Sequence, residues 1–188
     1  MSHYIAFHKP YGVLSKFTDR ARRATLKDYI TIPNIYPAGR LDLRSEGLLL
    51  LSDDKQFLHR LTDPRYNHPK TYFVQVEGLI TENAIQSLRK EIVLPGLQTK
   101  LPVQVVPLTD VDFPPRDPPV RDYHPTSWLK ITLTEGKKHQ VRRMTSAIDF
   151  PTLRLVRVQI GRISLDELQS GQWRNLNRNE YKPYISKL

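Results

Sequence analysis

The stretch Ala38-Gly39-Arg40-Leu41-Asp42-Leu43-Arg44-Ser45-Glu46-Gly47-Leu48-Leu49-Leu50-Leu51-Ser52 decides how the chain is read. Its second half places four consecutive leucines between Gly47 and Ser52. An apolar run that short, bounded by turn residues, predicts a strand buried on both faces. Its first half gathers Arg40, Asp42 and Arg44 just ahead of that strand. A loop anchored on a rigid strand holds its side chains in fixed positions, as chemistry requires. The flanking guanidinium groups favour an ionised Asp42, which suits a nucleophile or electrostatic stabiliser better than a general acid. The same local pattern also fits a solvated turn in which Asp42 only caps a neighbouring segment.

At 188 residues the chain can build a full core, as one large domain or two small subdomains. No run approaches ~18 apolar residues, so no membrane span is expected. The N-terminal residues lack the basic-then-apolar pattern of a secretion signal. Cysteine is absent, which excludes disulfides and thiolate chemistry and suits a reducing cytoplasm. Twenty-nine Lys and Arg against nineteen Asp and Glu give a net charge of +10. Such an excess calls for a polyanionic partner, and without a basic amphipathic helix nucleic acid is favoured over a membrane.

Working outward, residues 4–8 read as a strand closed by the Lys9-Pro10-Tyr11-Gly12 turn. Thr25 and Asp28 form the pattern of a capping box for a short helix through Ile30. After the organising stretch, Ser52 or Asp53 can cap a helix with Phe57, Leu58 and Leu61 on one face. Residues 70–78 read as a strand, and Thr81 as the cap of a helix carrying Ala84, Ile85, Leu88 and Ile92. Residues 101–108 suggest an edge strand, because Pro102 and Pro107 interrupt it. A Pro-rich insert, 109–126, has the composition of a loop or docking segment and divides the chain into two α+β halves. Residues 128–133 and 153–161 read as strands. Between them, residues 137–144 open a basic helix with Val141, Met144 and Ile148 on one face. The mixture lacks regular β-α-β alternation, so the predicted fold is α+β, with a largely antiparallel sheet flanked by helices.

Three features could carry chemistry. The first is Asp42. The second is Lys70-Thr71-Tyr72, where strand geometry puts Lys70 and Tyr72 on one face, a cation beside a ring able to stack on an unpaired base. Tyr72 is also readable as an ordinary core aromatic. The third is the basic run 137–143, otherwise a solvated face; there Arg142 and Arg143 leave the helix roughly 100° apart. No nucleotide-binding glycine motif occurs, and the six histidines show no H-x-x-x-H or H-x-H spacing, so neither a metal nor a cofactor is expected.

These residues carry a resemblance. Gly39-Arg40-Leu41-Asp42 followed by Glu46-Gly47-Leu48-Leu49-Leu50-Leu51 resembles the hallmark motif of RNA pseudouridine synthases. Lys9-Pro10-x-Gly12, Lys70-x-Tyr72 and Glu135-Gly136-x-x-His139-Gln140-Val141-Arg142-Arg143-Met144 follow in that family's order. Leu155-x-Arg157-x-x-Ile160-Gly161 and Gly171-x-Trp173-Arg174 resemble its branch acting on ribosomal RNA. The resemblance implies a mixed, mainly antiparallel sheet of about eight strands flanked by helices. It implies a single catalytic domain over residues 1–188 without an N-terminal S4-type RNA-binding domain. The implied activity is isomerisation of one uridine to pseudouridine in large-subunit (23S) ribosomal RNA, in the cytoplasm, by a monomer needing no cofactor and no membrane.

Residue by residue, Asp42 matches the essential aspartate. Tyr72 matches the aromatic that stacks on the flipped base and is a candidate for deprotonating carbon 5. Arg142 matches the basic partner of the aspartate, and Leu155 an apolar wall of the pocket. Arg40, Lys9, Lys70, His139, Gln140 and Arg143 are expected to bind RNA. A non-catalytic RNA-binding or ribosome-assembly protein is the main alternative. An RNA hydrolase is weaker, because nuclease chemistry normally needs a metal cluster.

Overall fold

The structure is a computed structural model describing all residues except 1, 91, 93, 100, 122 and 186–188. The chain forms two compact units, residues 1–68 with 158–188, and residues 69–157.

The first unit begins with β1 (Tyr4–Lys9), then a 3-10 turn at Leu26–Asp28 and a two-residue β2 (Tyr36–Pro37). The Asp28 carboxylate accepts from the Thr25 amide at 2.7 Å, so the capping box is present although it opens one turn rather than a helix through Ile30. The leucines fall in β3 (Glu46–Ser52), where Leu48 to Leu51 are all 0% exposed, as a strand covered on both faces requires. β1 lies antiparallel to β3, with Ile5 opposite Leu51 and Lys9 opposite Gly47. Ile5, Phe7, Leu49 and Leu51 pack with Leu26, Ile30 and Ile35 in one apolar cluster.

α1 (Lys55–Thr62) follows, with Phe57 and Leu61 buried. Its cap is Asp54, whose carboxylate accepts from the amides of Gln56 and Phe57. The two residues expected to cap are occupied elsewhere. Ser52 donates to the His3 carbonyl, and Asp53 pairs with the His3 side chain.

The second unit runs β4 (Lys70–Glu77), α2 (Glu82–Arg89), β5 (Gln104–Leu108), β6 (Thr126–Leu133), α3 (Gln140–Ser146) and most of β7 (Thr152–Ile160). Its strand order is β5-β6-β4-β7, which puts the proline-bearing strand at the edge as expected. β4 pairs antiparallel with β6 along its whole length, Tyr72 opposite Ile131 and Glu77 opposite Thr126. Val74, Val76, Ile85, Leu88, Leu129, Ile131, Val141 and Met144 form its core. α2 ends at Arg89, so Ile92 lies beyond it and packs on that core from the following segment.

The chain then returns to the first unit. β8 (Ile163–Ser164) folds back on the end of β7, and β9 (Trp173–Asn175) pairs with β1, Phe7 opposite Trp173. α4 (Arg178–Tyr181) closes it, with Tyr181 stacked on Tyr4 at 4.2 Å between ring centroids. The architecture is α+β with a mixed, mainly antiparallel sheet. Nine strands are present among the described residues, in line with the expected number of about eight, with the very short β2 and β8 off the main strand order. The Pro-rich insert is no divider, since it lies inside the second unit.

Candidate active site

In the first unit Asp42 opens a turn directly ahead of β3; the Ser45 amide donates to its carbonyl at 3.0 Å. Asp42 is half-buried between the exposed Arg40 and Arg44. Two neighbours fix this turn. The Ser15 hydroxyl donates to the Leu41 carbonyl at 2.8 Å and accepts from the Leu41 amide at 3.0 Å. The Gly12 amide donates to the Leu43 carbonyl at 2.9 Å. Both backbone groups of the residue before Asp42 are therefore held by one side chain.

The sequence reading places Lys9 among the RNA contacts; in the structure it is enclosed. Lys9 is 0% exposed, and its ammonium donates to the carbonyls of Pro10 at 2.8 Å and Val13 at 2.7 Å. A lysine so enclosed braces the Lys9–Val13 turn, which in turn holds Leu43 through Gly12. Gly12 has φ +76, a conformation costly for residues with a Cβ.

In the second unit Tyr72 is 7% exposed and belongs to one cluster with Val141 and Leu155. The core-aromatic and functional readings of Tyr72 are thus compatible, since a ring can be packed on one side and offered on the other. Lys70 is half-buried; burial, and after it the neighbouring Arg157 cation, push its pKa below the ordinary lysine value.

At the start of α3, His139 is exposed with φ 54, and Gln140 is 3% exposed. The Gln140 side chain donates to the Glu135 carboxylate at 2.6 Å and accepts from the Lys137 amide at 3.2 Å. These two bonds brace the loop 135–140. Arg142 donates to the Thr152 carbonyl at 3.2 Å, whereas Arg143 donates to the Pro95 carbonyl. The two guanidinium groups diverge as the helical angle between them demands.

Two residues escaped the sequence reading. Ser15 carries no motif. Arg154, 5% exposed like the motif residue Arg157, stands in a strand where alternation suggests one inward face only. Arg154 donates to the Pro114 carbonyl at 2.8 Å and lies 5.0 Å from the Phe113 ring centroid, tying the Pro-rich insert to β7.

On this α+β fold the chain carries an aspartate turn ahead of β3, a Lys-x-Tyr strand and a basic helix start, features that resemble an RNA-modifying enzyme. Residues 3–147 match the RNA pseudouridylate synthase profile, and the chain belongs to that family. It is an RNA pseudouridine synthase, which sets aside the non-catalytic alternative. It is 48% identical over 175 residues to the ribosomal large subunit pseudouridine synthase E of Vibrio vulnificus (strain CMCP6), covering 92% of this chain and 74% of that protein. The protein of the same name from Xanthomonas campestris pv. campestris is 50% identical over 175 residues, 90% of this chain and 93% of that one. A crystal structure of a pseudouridylate synthase superposes with a TM-score of 0.80 at 29% identity, covering 98% of this chain and 74% of the other. Among the described residues no helix is long and apolar enough to cross a membrane.

Proposed function

We propose that this enzyme isomerises a specific uridine of large-subunit (23S) ribosomal RNA, acting in the cytoplasm as a single chain without a cofactor. The observation that carries the reading is the fixed mount of Asp42, with Leu41 held at both backbone groups by Ser15. A carboxylate held this way keeps its direction while the base moves. The substrate class rests on the two relatives named as large-subunit synthases.

In the overall reaction the bond from C1′ to N1 breaks and a bond from C1′ to C5 forms. The proton leaves C5 and N1 gains one, so composition and redox state are unchanged. Asp42 serves as nucleophile or base at the nucleoside, Tyr72 stacks on the base and takes up the C5 proton, and Arg142 pairs with the carboxylate. Leu155 supplies apolar wall, and Arg40, Lys70, His139 and Arg143 hold the RNA. Removing a base from its stack costs a few kcal/mol, which a stacking ring and a basic surface offset.

The test maps carbodiimide-reactive pseudouridines in 23S ribosomal RNA after incubation with the protein. One new site is expected with the wild type and none with Asp42→Asn, which is nearly isosteric. Turnover by Asp42→Asn would overturn the catalytic assignment. New sites confined to small-subunit RNA would overturn the substrate.

A further inference from the structure

A groove of about 250 Å3 opens in the second unit, lined by Glu77, Arg121, Tyr123, His124 and Leu153. Its frame is rigid. Glu77 ends β4, its amide donating to the Pro151 carbonyl at 3.0 Å, and the Gly78 amide donates to the Pro125 carbonyl at 2.7 Å. The Ser127 hydroxyl closes the same corner, donating to the Gly78 carbonyl and accepting from the Ile80 amide, each at 2.8 Å. Into this frame the end of the Pro-rich insert places Tyr123, which is 79% exposed.

At that exposure the Tyr123 ring has a face open to stacking. On a chain of net charge +10 that acts on RNA, a tyrosine between Arg121 and His124 is suited to an unpaired base with its phosphate. The unexpected member is Glu77, whose side chain is 40% exposed and lies 3.7 Å from the His124 ring nitrogen. A carboxylate repels phosphate, so in an RNA-facing groove its use is to accept from a base edge. An ionised carboxylate only accepts. Of the four Watson–Crick edges, only guanine presents two adjacent donors, N1–H and the N2 amino group; adenine, cytosine and uracil each present one donor position. The groove is too small for a drug-sized ligand but matches one base.

The geometry points to a guanine-reading subsite: an unpaired guanine stacks on Tyr123, its Watson–Crick edge donates to Glu77, and its phosphate lies against Arg121. This deepens the RNA-modifying reading by adding a second, non-catalytic point of sequence recognition.

The test uses the full 15N-labelled chain titrated with GMP, IMP, AMP and CMP, followed at the amides of Gly78, Tyr123 and Leu153. GMP should shift these saturably at concentrations about tenfold below AMP and CMP, the discrimination expected of one bidentate base contact. IMP, which lacks the N2 amino group, should fall between them. Glu77→Gln should abolish the GMP preference, and Tyr123→Ala should weaken all four nucleotides alike. Equal responses to all four, a preference surviving in Glu77→Gln, or shifts only elsewhere would overturn the proposal and leave Glu77 as a surface partner of His124. Asp42→Asn should titrate like the wild type, so failure here and failure of the catalytic assignment are told apart.

Discussion

The Ser15 hydroxyl makes two hydrogen bonds to the same residue, donating to the carbonyl and accepting from the amide of Leu41, twenty-six positions away. Ser15→Ala leaves both buried backbone groups unpaired, at a cost of about 1–3 kcal/mol in stability. It also frees the residue next to Asp42. Single-turnover isomerisation at saturating RNA should fall about 10- to 100-fold, with RNA affinity unchanged. Ser15→Thr restores the hydroxyl and should recover most of the rate. A parallel loss of affinity would mean that Ser15 shapes the RNA surface instead.

Tyr72 is separable by size. Tyr72→Phe keeps the packing with Val141 and Leu155 and the stacking face, and removes only the hydroxyl. If the hydroxyl takes the proton at C5, RNA binding should persist and turnover should be lost. Tyr72→Ala opens the core and should cost about 3–5 kcal/mol, so its activity is interpretable only beside a thermal melt. Full turnover by Tyr72→Phe would leave stacking as the only role of the ring.

If Arg142 serves the chemical step through Asp42, their substitutions are not additive. Asp42→Asn and Arg142→Ala should each lower turnover heavily, and the double variant should be little worse than Asp42→Asn alone. Arg142→Lys should lose less than Arg142→Ala, since it keeps a charge without the planar fork. Additive losses would assign Arg142 to its hydrogen bond with the Thr152 carbonyl.

The Arg174 guanidinium donates to both oxygens of Glu180, at 2.7 and 2.9 Å, and this pairing holds the Glu180 pKa below its ordinary value. A depressed carboxyl pKa stabilises the fold above the unfolded value and loses that contribution as pH falls through the folded value. Glu180→Gln keeps the shape of the cap on α4 but removes the charge. It should lower the melting temperature at pH 7, an effect of about 1 kcal/mol for a partly exposed pair. The gap to wild type should close below the normal glutamate range. A gap constant with pH would attribute the loss to the cap.

The long elements were legible because their pattern is dense. Four leucines in a row admit little but a doubly covered strand, and the β-branched and aromatic run from Lys70 carried β4. The motif residues stood out by their order and spacing, but their burial was not legible. Lys9 and Gln140 are polar side chains that turn inward to satisfy backbone groups and a carboxylate, and nothing local distinguishes that from a solvent-facing role. The α1 cap was misplaced by one or two residues because His3, fifty positions away, engages Ser52 and Asp53. β9 was missed because three residues without alternation form a strand only where β1 offers an edge.

That last pairing bears on how the protein is made. β1 leaves the ribosome well before the strand that covers its outer edge by pairing Phe7 with Trp173. The unit that carries Asp42 is therefore incomplete until residues 158–188 have emerged, whereas residues 69–157 are contiguous and can collapse as they emerge. During that interval a strand carrying Ile5, Ala6 and Phe7 stands with open backbone hydrogen-bonding groups, the situation in which nascent chains pair with one another. Chaperone occupancy on translating ribosomes should therefore persist until the Trp173 region has cleared the exit tunnel.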